Sequence, residues 1–145
     1  MFVPDLNVLL YATDRTSAHH EACRRWLEEA LEGDEPLGLS WTVLLGFLRL
    51  ATKAVVFARP LSVTEAFDVI DDWLERPACV PLEPGERHAQ VLRGLLTASG
   101  TAGNLTTDAH LAALALTVGA TLVSCDNDFR RFSGLKLLNP VAPDE

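Results

Sequence analysis

Short apolar runs alternate with longer segments of helical periodicity, and this alternation restricts the fold more than any other feature of the chain. Runs such as 2–4 and 121–124 have the length and composition of buried strands. In the longer segments, apolar side chains recur at the spacing of one helix face. Strands that alternate with helices favour crossover connections and therefore parallel pairing. The sequence predicts an α/β fold with a central, mostly parallel sheet.

Caps and chain-breaking residues set the boundaries of the predicted elements. Strands are predicted at 2–4, 36–39, 78–80, 121–124 and 135–138, and helices at 6–12, 18–32, 41–51, 62–76, 86–97 and 106–118. Ser62 and Glu65 fit a capping box, and Thr106 or Thr107 is expected to cap the last helix. The 41–51 helix is apolar on nearly all sides and is predicted to be buried. The large apolar side chains predicted to face the core include Trp26, Trp41, Phe67, Trp73 and Leu74.

Length and composition are those of one domain spanning 1–145. The chain is 48% hydrophobic, which is too apolar for a disordered segment. It contains no apolar run of the roughly 18–20 residues that cross a bilayer, and its start lacks a signal-peptide pattern. Three cysteines far apart in sequence do not form a disulfide framework. We therefore expect a cytoplasmic protein with no membrane partner.

Four aspartates lie at positions where α/β folds form ligand sites. Asp5 follows the first predicted strand, Asp126 and Asp128 follow the 121–124 strand, and Asp108 lies in the first turn of a helix. The carboxyl ends of neighbouring parallel strands meet in one crevice, so these side chains converge if the two strands are adjacent. Converging carboxylates repel unless a cation joins them, and oxygen ligands alone suit Mg²⁺ or Mn²⁺. For each aspartate taken alone, a capping or turn role is the alternative.

Four segments, at 4–12, 44–49, 103–115 and 124–129, carry a more specific signal. In this order and spacing they resemble the PIN-domain family, and within it the VapC-type toxins of bacterial toxin–antitoxin pairs. The resemblance implies a three-layer α/β/α fold. It also implies a Mg²⁺-dependent endoribonuclease that cleaves cellular RNA, forms a homodimer and is inhibited by a cognate antitoxin.

The resemblance also assigns roles to individual residues. The implied catalytic and metal-binding acids are Asp5, Asp108 and Asp126, with Asp128 as a neighbour that binds metal through water. Asn7 and Ser124 correspond to polar groups that orient these carboxylates. Gly46 departs from the family pattern, because many members carry a glutamate in this helix. The departure leaves the number of metal ions open.

Several other polar side chains near these segments have more than one interpretation. Arg49, the only charge of the 41–51 helix, can reach a substrate phosphate or pair with a site carboxylate. Asn104 precedes Asp108 and is a candidate for contact with RNA. His110 is interpreted as a packed or hydrogen-bonded side chain, and Cys125 as an inert buried thiol.

Two further functions compete with the nuclease hypothesis. Gly46 motivates the first, a PIN-like module that binds RNA or protein without cleavage. The second is a different acid-rich protein, such as a phosphatase or a receiver domain. A phosphatase of the haloacid-dehalogenase type needs Asp-x-Asp after its first strand, where this chain has Asp5, Leu6 and Asn7. A receiver domain needs paired early acids and a late lysine, and neither is evident.

Taken alone, the net charge of −8 disfavours a nucleic-acid partner, because phosphate binding depends on positive charge. However, most of the excess lies in 21–35 and 65–75, outside the candidate site. Candidates for a local basic lining are Arg15, Arg49, Lys53, Arg59, Arg130 and Arg131. The acidic cleft itself favours a basic antitoxin segment with an arginine that reaches the aspartates.

Overall fold

The structure, a computed structural model, describes residues 1–142; the end of the predicted 1–145 domain, 143–145, lies outside the described residues. The strands are β1 (Phe2–Pro4), β2 (Leu37–Leu39), β3 (Cys79–Pro81), β4 (Thr121–Val123) and β5 (Lys136–Leu138). The α-helices are α1 (Leu6–Thr13), α2 (His20–Glu32), α3 (Trp41–Ala51), α4 (Val63–Glu75), α5 (His88–Ser99) and α6 (Thr106–Thr117). Short 3-10 helices lie at Gly103–Leu105 and Asn127–Arg131. None of the described helices is long and apolar enough to cross a membrane.

The five strands are all parallel and pair in the order β3-β2-β1-β4-β5. From β1 through β2 to β3 the chain moves in one direction across the sheet, and it then crosses back to β4 on the other side of β1. Because such crossovers are right-handed, α1 to α4 cover one face of the sheet and α5 and α6 cover the other. The predicted three-layer α/β/α fold with a parallel sheet is confirmed.

Helix α3 buries one face and exposes the other. Its buried residues are Val43, Leu44, Phe47 and Ala51. The ring of Phe47 packs edge-on against Trp73 of α4, which is in the core as predicted. Leu45 and Trp41 are 58% and 47% exposed, so the prediction of a wholly buried helix with Trp41 in the core is wrong. A helix in an outer layer buries only the face that is directed at the sheet.

Helix α4 begins as the sequence predicts. Ser62 and Glu65 exchange both hydrogen bonds of the capping box. Phe67 and Leu74 are exposed, although both were expected to face inward. The buried face is instead set by the stripe Ala66, Ile70 and Trp73.

The start of α6 differs from the prediction. The helix continues directly from the 3-10 helix Gly103–Leu105, so Thr106 is already helical. Leu105 occupies the N-cap position and supplies no side-chain cap, so the predicted threonine cap is wrong. The continuous backbone leaves the side chains of the first turn free for other contacts, and Asp108 is one of them.

Candidate active site

The carboxyl ends of β1 and β4 meet where the chain reverses its direction across the sheet. A crevice forms outside the strand ends at such a switch point, and ligands of open α/β sheets bind there. Asp5 follows β1 and Ser124 follows β4. The backbone N–H of Asp5 donates to the carbonyl of Val123 at 2.8 Å, which fixes the two strand ends against each other. The topology thus joins residues that are 119 positions apart.

Ser124 is 3% exposed and connects three groups of the crevice. Its hydroxyl donates to Oδ2 of Asp5 at 2.8 Å. The same oxygen accepts from Nδ2 of Asn7 at 3.2 Å and from the backbone N–H of Asp126 at 3.0 Å. A serine hydroxyl has one donor and two acceptor sites, so all of its hydrogen-bonding capacity is used. The serine therefore holds the Asp5 carboxylate in one orientation.

Asn7 ties α1 to the loop that follows β4. While its Nδ2 donates to Ser124, its Oδ1 accepts from the backbone N–H of Cys125 at 3.2 Å. The second oxygen of Asp5, Oδ1, accepts from the backbone N–H of Leu6 at 2.7 Å and caps α1. The contacts of Asn7 and Ser124 are those of groups that orient a carboxylate.

The pKa of Asp5 is raised from 3.8 to about 6, chiefly because burial disfavours the charged carboxylate. The hydrogen bonds from Ser124 and Leu6 lower this pKa, whereas the negative charges of Asp108 and Asp126 raise it. Asp5 is thus surrounded by donors that position it, in a place where its charge remains costly. A bound cation would remove that cost.

Asp108 reaches the crevice from α6, which belongs to the other helical layer. It lies in the first turn, where the helix dipole favours a negative charge. Burial raises the pKa of Asp108 first, and the charges of Asp126 and Asp128 add to this, whereas Arg131 lowers it. The charges of Asp5, Asp108 and Asp126 therefore act on one another across the same crevice.

Asp126 and Asp128 lie at the 3-10 helix after β4. Asp126 caps that helix, since its Oδ1 accepts from the backbone N–H of Asp128 at 2.8 Å. Asp128 is exposed, and Nη2 of Arg131 lies 4.0 Å from its carboxylate. Asp126 thus both caps a helix and lies in the crevice, as Asp5 does.

The crevice offers carboxylate, hydroxyl and amide oxygens, which are the donors preferred by hard divalent cations. Within residues 1–142, no three His, Cys, Asp or Glu side chains lie close enough to hold one metal ion together. Mg²⁺ keeps several waters and commonly binds only one or two protein carboxylates directly. The donors fit a hydrated ion on Asp5 and a neighbouring aspartate better than an ion enclosed by protein.

Gly46 lies where α3 crosses α1, and its lack of a side chain permits the close approach of the two helices. A Cβ atom at this position would lie 2.7 Å from Cδ2 of Leu6. Leu6 directly follows Asp5, so the crossing also packs against the start of α1. Any side chain at position 46 would have to displace the end of the Leu6 side chain. The site therefore has no acid on α3, and the space beside Leu6 is closed to one in this packing.

Arg49 and Asn104 are not drawn into the hydrogen-bonded part of the crevice. Both are exposed, Arg49 in the last turn of α3 and Asn104 in the 3-10 helix before α6. Arg49 forms no ion pair with any carboxylate of the described part of the chain. The ion pair with a site carboxylate is thus not found among the described residues, and contact of Arg49 with a substrate phosphate stays a prediction.

Two groups of contacts near the crevice involve partners that the sequence did not predict. The Sγ atoms of Cys23 and Cys125 are 3.5 Å apart, and their hydrogen bond lowers the pKa of Cys23 and raises that of Cys125. His110 lies between two partners, with Nδ1 2.9 Å from Nε2 of His88 and Nε2 3.2 Å from Oγ1 of Thr42. His110 is hydrogen-bonded as predicted, but its partners lie 22 and 68 positions away, so local spacing gave no signal for them.

The family model of the PIN domain matches residues 2–135. Ribonuclease VapC37 of Mycobacterium tuberculosis is 48% identical over 142 residues, which are 98% of this chain and 99% of that protein. Ribonuclease VapC33 of the same species is 40% identical over 141 residues, with 97% of this chain and 99% of that protein covered.

Solved structures of VapBC proteins have a similar fold. VapBC-1 of nontypeable Haemophilus influenzae matches with a TM-score of 0.70 at 18% identity, over 97% of this chain and 98% of that chain. VapBC2 of Rickettsia felis, bound to a DNA fragment from its promoter, matches with a TM-score of 0.69 at 20% identity, over 95% and 97%. At this level of identity the likeness establishes the fold.

Proposed function

The chain belongs to the PIN-domain family, together with relatives named ribonuclease VapC, and we propose that it is a Mg²⁺-dependent endoribonuclease, the toxin of a VapBC-type toxin–antitoxin pair. The observation that carries the proposal is the hydrogen-bonded Asp5 at the switch point of the sheet, with Asp108 and Asp126 facing the same crevice. The substrate is cellular RNA, and the reaction is hydrolysis of a phosphodiester bond.

Asp5, Asp108 and Asp126 are the proposed metal-binding acids: Asp5 and one of the other two would contact the ion directly, and the third, like Asp128, would bind it through water. When bound there, a divalent cation would supply activation of a water nucleophile and stabilisation of the negative charge on the phosphoryl group. The chain contributes by holding Asp5 through Ser124 and the Leu6 N–H, so that the carboxylate is in place before the ion binds. Mn²⁺ is expected to substitute for Mg²⁺, because it accepts the same oxygen donors.

Positive charge near the crevice supplies the proposed contacts to the RNA backbone. Arg130 lines a cavity beside Ser124 and Asp126, and Arg131 approaches Asp128. Arg49 is exposed on α3 and Asn104 on the segment before α6. A few such contacts, together with the cation, offset the local repulsion between an acidic protein and its substrate.

The proposed protein partners are a basic antitoxin and a second copy of the chain, both in the cytoplasm. An antitoxin segment with an arginine that reaches the aspartates would neutralise the charge that burial makes costly at Asp5. A homodimer would cover part of the exposed apolar surface, which includes Leu45, Val55 and Val118. Sedimentation of the purified chain, alone and with the antitoxin, measures both assemblies.

Cleavage mapping on total cellular RNA tests the nuclease directly. Wild-type protein with Mg²⁺ is expected to cut at discrete sites, while Asp5→Asn and addition of EDTA are expected to abolish cutting. Asp68→Asn is the matched control, because it removes the same charge from the exposed face of α4. Equal cleavage by wild type and Asp5→Asn, after purification that excludes contaminating nuclease, would refute the proposal.

The second candidate function is a PIN-like module that binds RNA or protein without cutting it. Gly46 favours it, because α3 carries no acid and glycine stands where many family members have a glutamate. This alternative predicts RNA binding that does not depend on Mg²⁺ and no cleavage across a broad panel of RNAs. The same cleavage experiment, combined with a binding measurement in EDTA, separates the two functions.

A further inference from the structure

A cavity of about 370 Å³ opens at the same edge of the sheet as the aspartates. Trp41 and Thr42, which begin α3 after β2, line it together with Glu83 from the segment after β3. His110 completes this side of the cavity from α6, two residues beyond Asp108. Strand β2 is the neighbour of β1 in the sheet, so the cavity lies on the β2 side of the crevice. Its volume is within the roughly 300–1,000 Å³ that is typical of small-ligand sites.

The aromatic wall of this cavity is Trp41, whose side chain is 47% exposed. Burial of a large aromatic ring is strongly favourable, and a half-exposed tryptophan forgoes much of that gain. Trp73, by contrast, is in the core with its ring against Phe47. The free face of the Trp41 indole is the kind of surface on which nucleic-acid bases stack.

A chain of hydrogen bonds determines which polar group Thr42 presents to the cavity. His88 is 8% exposed, and its Nδ1 has no hydrogen-bond partner within the described residues. An unpaired lone pair is tolerated better in the interior than an unpaired N–H, so the proton of His88 belongs on Nε2. His88 then donates to Nδ1 of His110, and Nε2 of His110 donates to Thr42. The Thr42 oxygen is thereby an acceptor for His110, and its own proton is available to a ligand.

The charge of the cavity indicates which part of a nucleotide enters. Its lining includes the carboxylate of Glu83, and no Lys or Arg of the described residues lines it. A phosphate would be repelled there, whereas an uncharged base would not. The arginines near the crevice, Arg130 and Arg131, lie on the opposite side, at the end of β4. Backbone and base are therefore expected at different places along the sheet edge.

We propose that this cavity is a subsite for one unpaired nucleobase of the RNA, adjacent to the phosphate at the aspartates. The base stacks on Trp41 and accepts a hydrogen bond from the hydroxyl of Thr42. The inference rests on the proposed nuclease function and names the part of the substrate that this cavity binds. Because stacking uses the face that every base has, Trp41 contributes affinity rather than strict sequence preference.

Binding of a fluorescently labelled, unstructured ten-nucleotide RNA tests the subsite. The Asp5→Asn protein is the parent, so that cleavage does not interfere, and anisotropy gives the dissociation constant. Adding Trp41→Ala is expected to weaken binding about 5- to 150-fold, the equivalent of 1–3 kcal/mol for one stacked base. Trp41→Phe is expected to keep most of the affinity. Thr42→Val is expected to lose affinity a few-fold, and Thr42→Ser to restore it.

Phe67→Ala is the matched control, because Phe67 is an aromatic side chain with 41% exposure on α4. It is expected to leave the dissociation constant unchanged. Unchanged affinity of the Trp41→Ala protein, or an equal loss with Phe67→Ala, would overturn the subsite. So would a change from dimer to monomer on Trp41→Ala with unchanged affinity per subunit, because Trp41 would then be a subunit contact.

Failure of the subsite is distinguishable from failure of the proposed function. If wild-type protein cleaves RNA and Trp41→Ala does not weaken binding, only the subsite is wrong. If the parent binds RNA but wild-type protein never cleaves it, the nuclease is wrong, and the effect of Trp41→Ala still decides whether a base-binding site exists. If no RNA binds to the parent at all, the subsite is wrong, and cleavage by the wild-type protein still decides whether the nuclease is wrong as well.

Discussion

The carboxylates on the two sides of the acidic crevice differ in how firmly hydrogen bonds hold them. On the β1 side, both oxygens of Asp5 accept hydrogen bonds from groups fixed by the sheet and by α1. On the far side, Asp108 projects from the first turn of a helix, and Asp128 is exposed beside Arg131. The Asp5 carboxylate is thus positioned by the fold, whereas Asp108 and Asp128 keep the freedom to adjust. The contrast suggests that Asp5 defines the site and that its partners complete it.

Replacing one acid on each side gives the strongest test of this contrast. Asp5→Asn is expected to reduce RNA cleavage at least 1,000-fold, roughly the scale of losing a principal charge-stabilising group. Asp128→Asn, on the adjustable side, is expected to reduce it by no more than about tenfold, as for an outer-shell group. Initial rates on one defined RNA measure both. Similar losses for the two variants would show that the sides are equivalent.

The Asp5 carboxylate is held by the hydroxyl of Ser124, so loss of this hydroxyl should slow RNA cleavage. Ser124→Ala is expected to lower the cleavage rate about 10- to 100-fold, the usual effect of removing a group that orients a metal ligand. Excess Mg²⁺ should recover part of the rate if the loss is in metal affinity. Ser17→Ala, which removes a serine hydroxyl that contacts only the backbone N–H of His19, is the control and should cleave normally. A Ser124→Ala protein with wild-type rate at every Mg²⁺ concentration would contradict this role.

The stability of the metal-free protein should depend on pH because of the raised pKa of Asp5. The pKa of this carboxyl is 3.8 in the unfolded chain and about 6 in the folded chain. Between these values the folded state binds more protons, so the free energy of unfolding falls as pH rises through the window. The loss is expected to be about 1–3 kcal/mol. Urea denaturation at pH 4 and pH 7 in EDTA measures it, against the same experiment on Asp5→Asn.

The Asp5→Asn variant has no carboxyl that titrates at this position. Its free energy of unfolding should therefore not show the loss that Asp5 causes in the wild type between pH 4 and pH 7. Adding Mg²⁺ at pH 7 should raise the stability of the wild type and not that of the variant. Parallel pH profiles for the two proteins would show that the burial of Asp5 is not what destabilises the metal-free form.

The smallest expected effect concerns the packing behind the fixed side. Gly46→Ala is expected to lose part of its helix-propensity gain, because its methyl group has to displace the end of the Leu6 side chain at the helix crossing. Gly94→Ala in α5 is the matched control, since nothing lies within 4 Å of a Cβ there. It should stabilise the protein by about 0.5–1 kcal/mol through helix propensity. Thermal denaturation should therefore give a lower melting temperature for Gly46→Ala than for Gly94→Ala.

Most of the fold could be read from the sequence, because parallel strands and crossover helices leave period and composition signals that are local. The positions of Asp5, Asp108 and Asp126 could be predicted for the same reason, since strand ends and helix starts are local features. The exposure of Trp41 could not, because an apolar helix gives no sign of which face the sheet will cover.

Contacts over long sequence separations were also beyond sequence reasoning. The link from His88 through His110 to Thr42 joins the starts of two helices to the second turn of a third. The pair Cys23 and Cys125 depends on how α2 lies against the end of β4. Such contacts follow from the tertiary packing and have no local pattern. Ser124 was identified from the family motif, but its three hydrogen bonds became evident only in the assembled crevice.

The crossing of α3 over α1 at Gly46 also restricts how this site can change through evolution. The effect of a glutamate at position 46 depends on the residue at position 6, because Leu6 occupies the space that the new side chain needs. A smaller residue at position 6 would leave that space open and make the later gain of an acid less costly. The two positions are therefore expected to be epistatic. Helix packing thus acts together with metal chemistry in determining which ligands this site can gain.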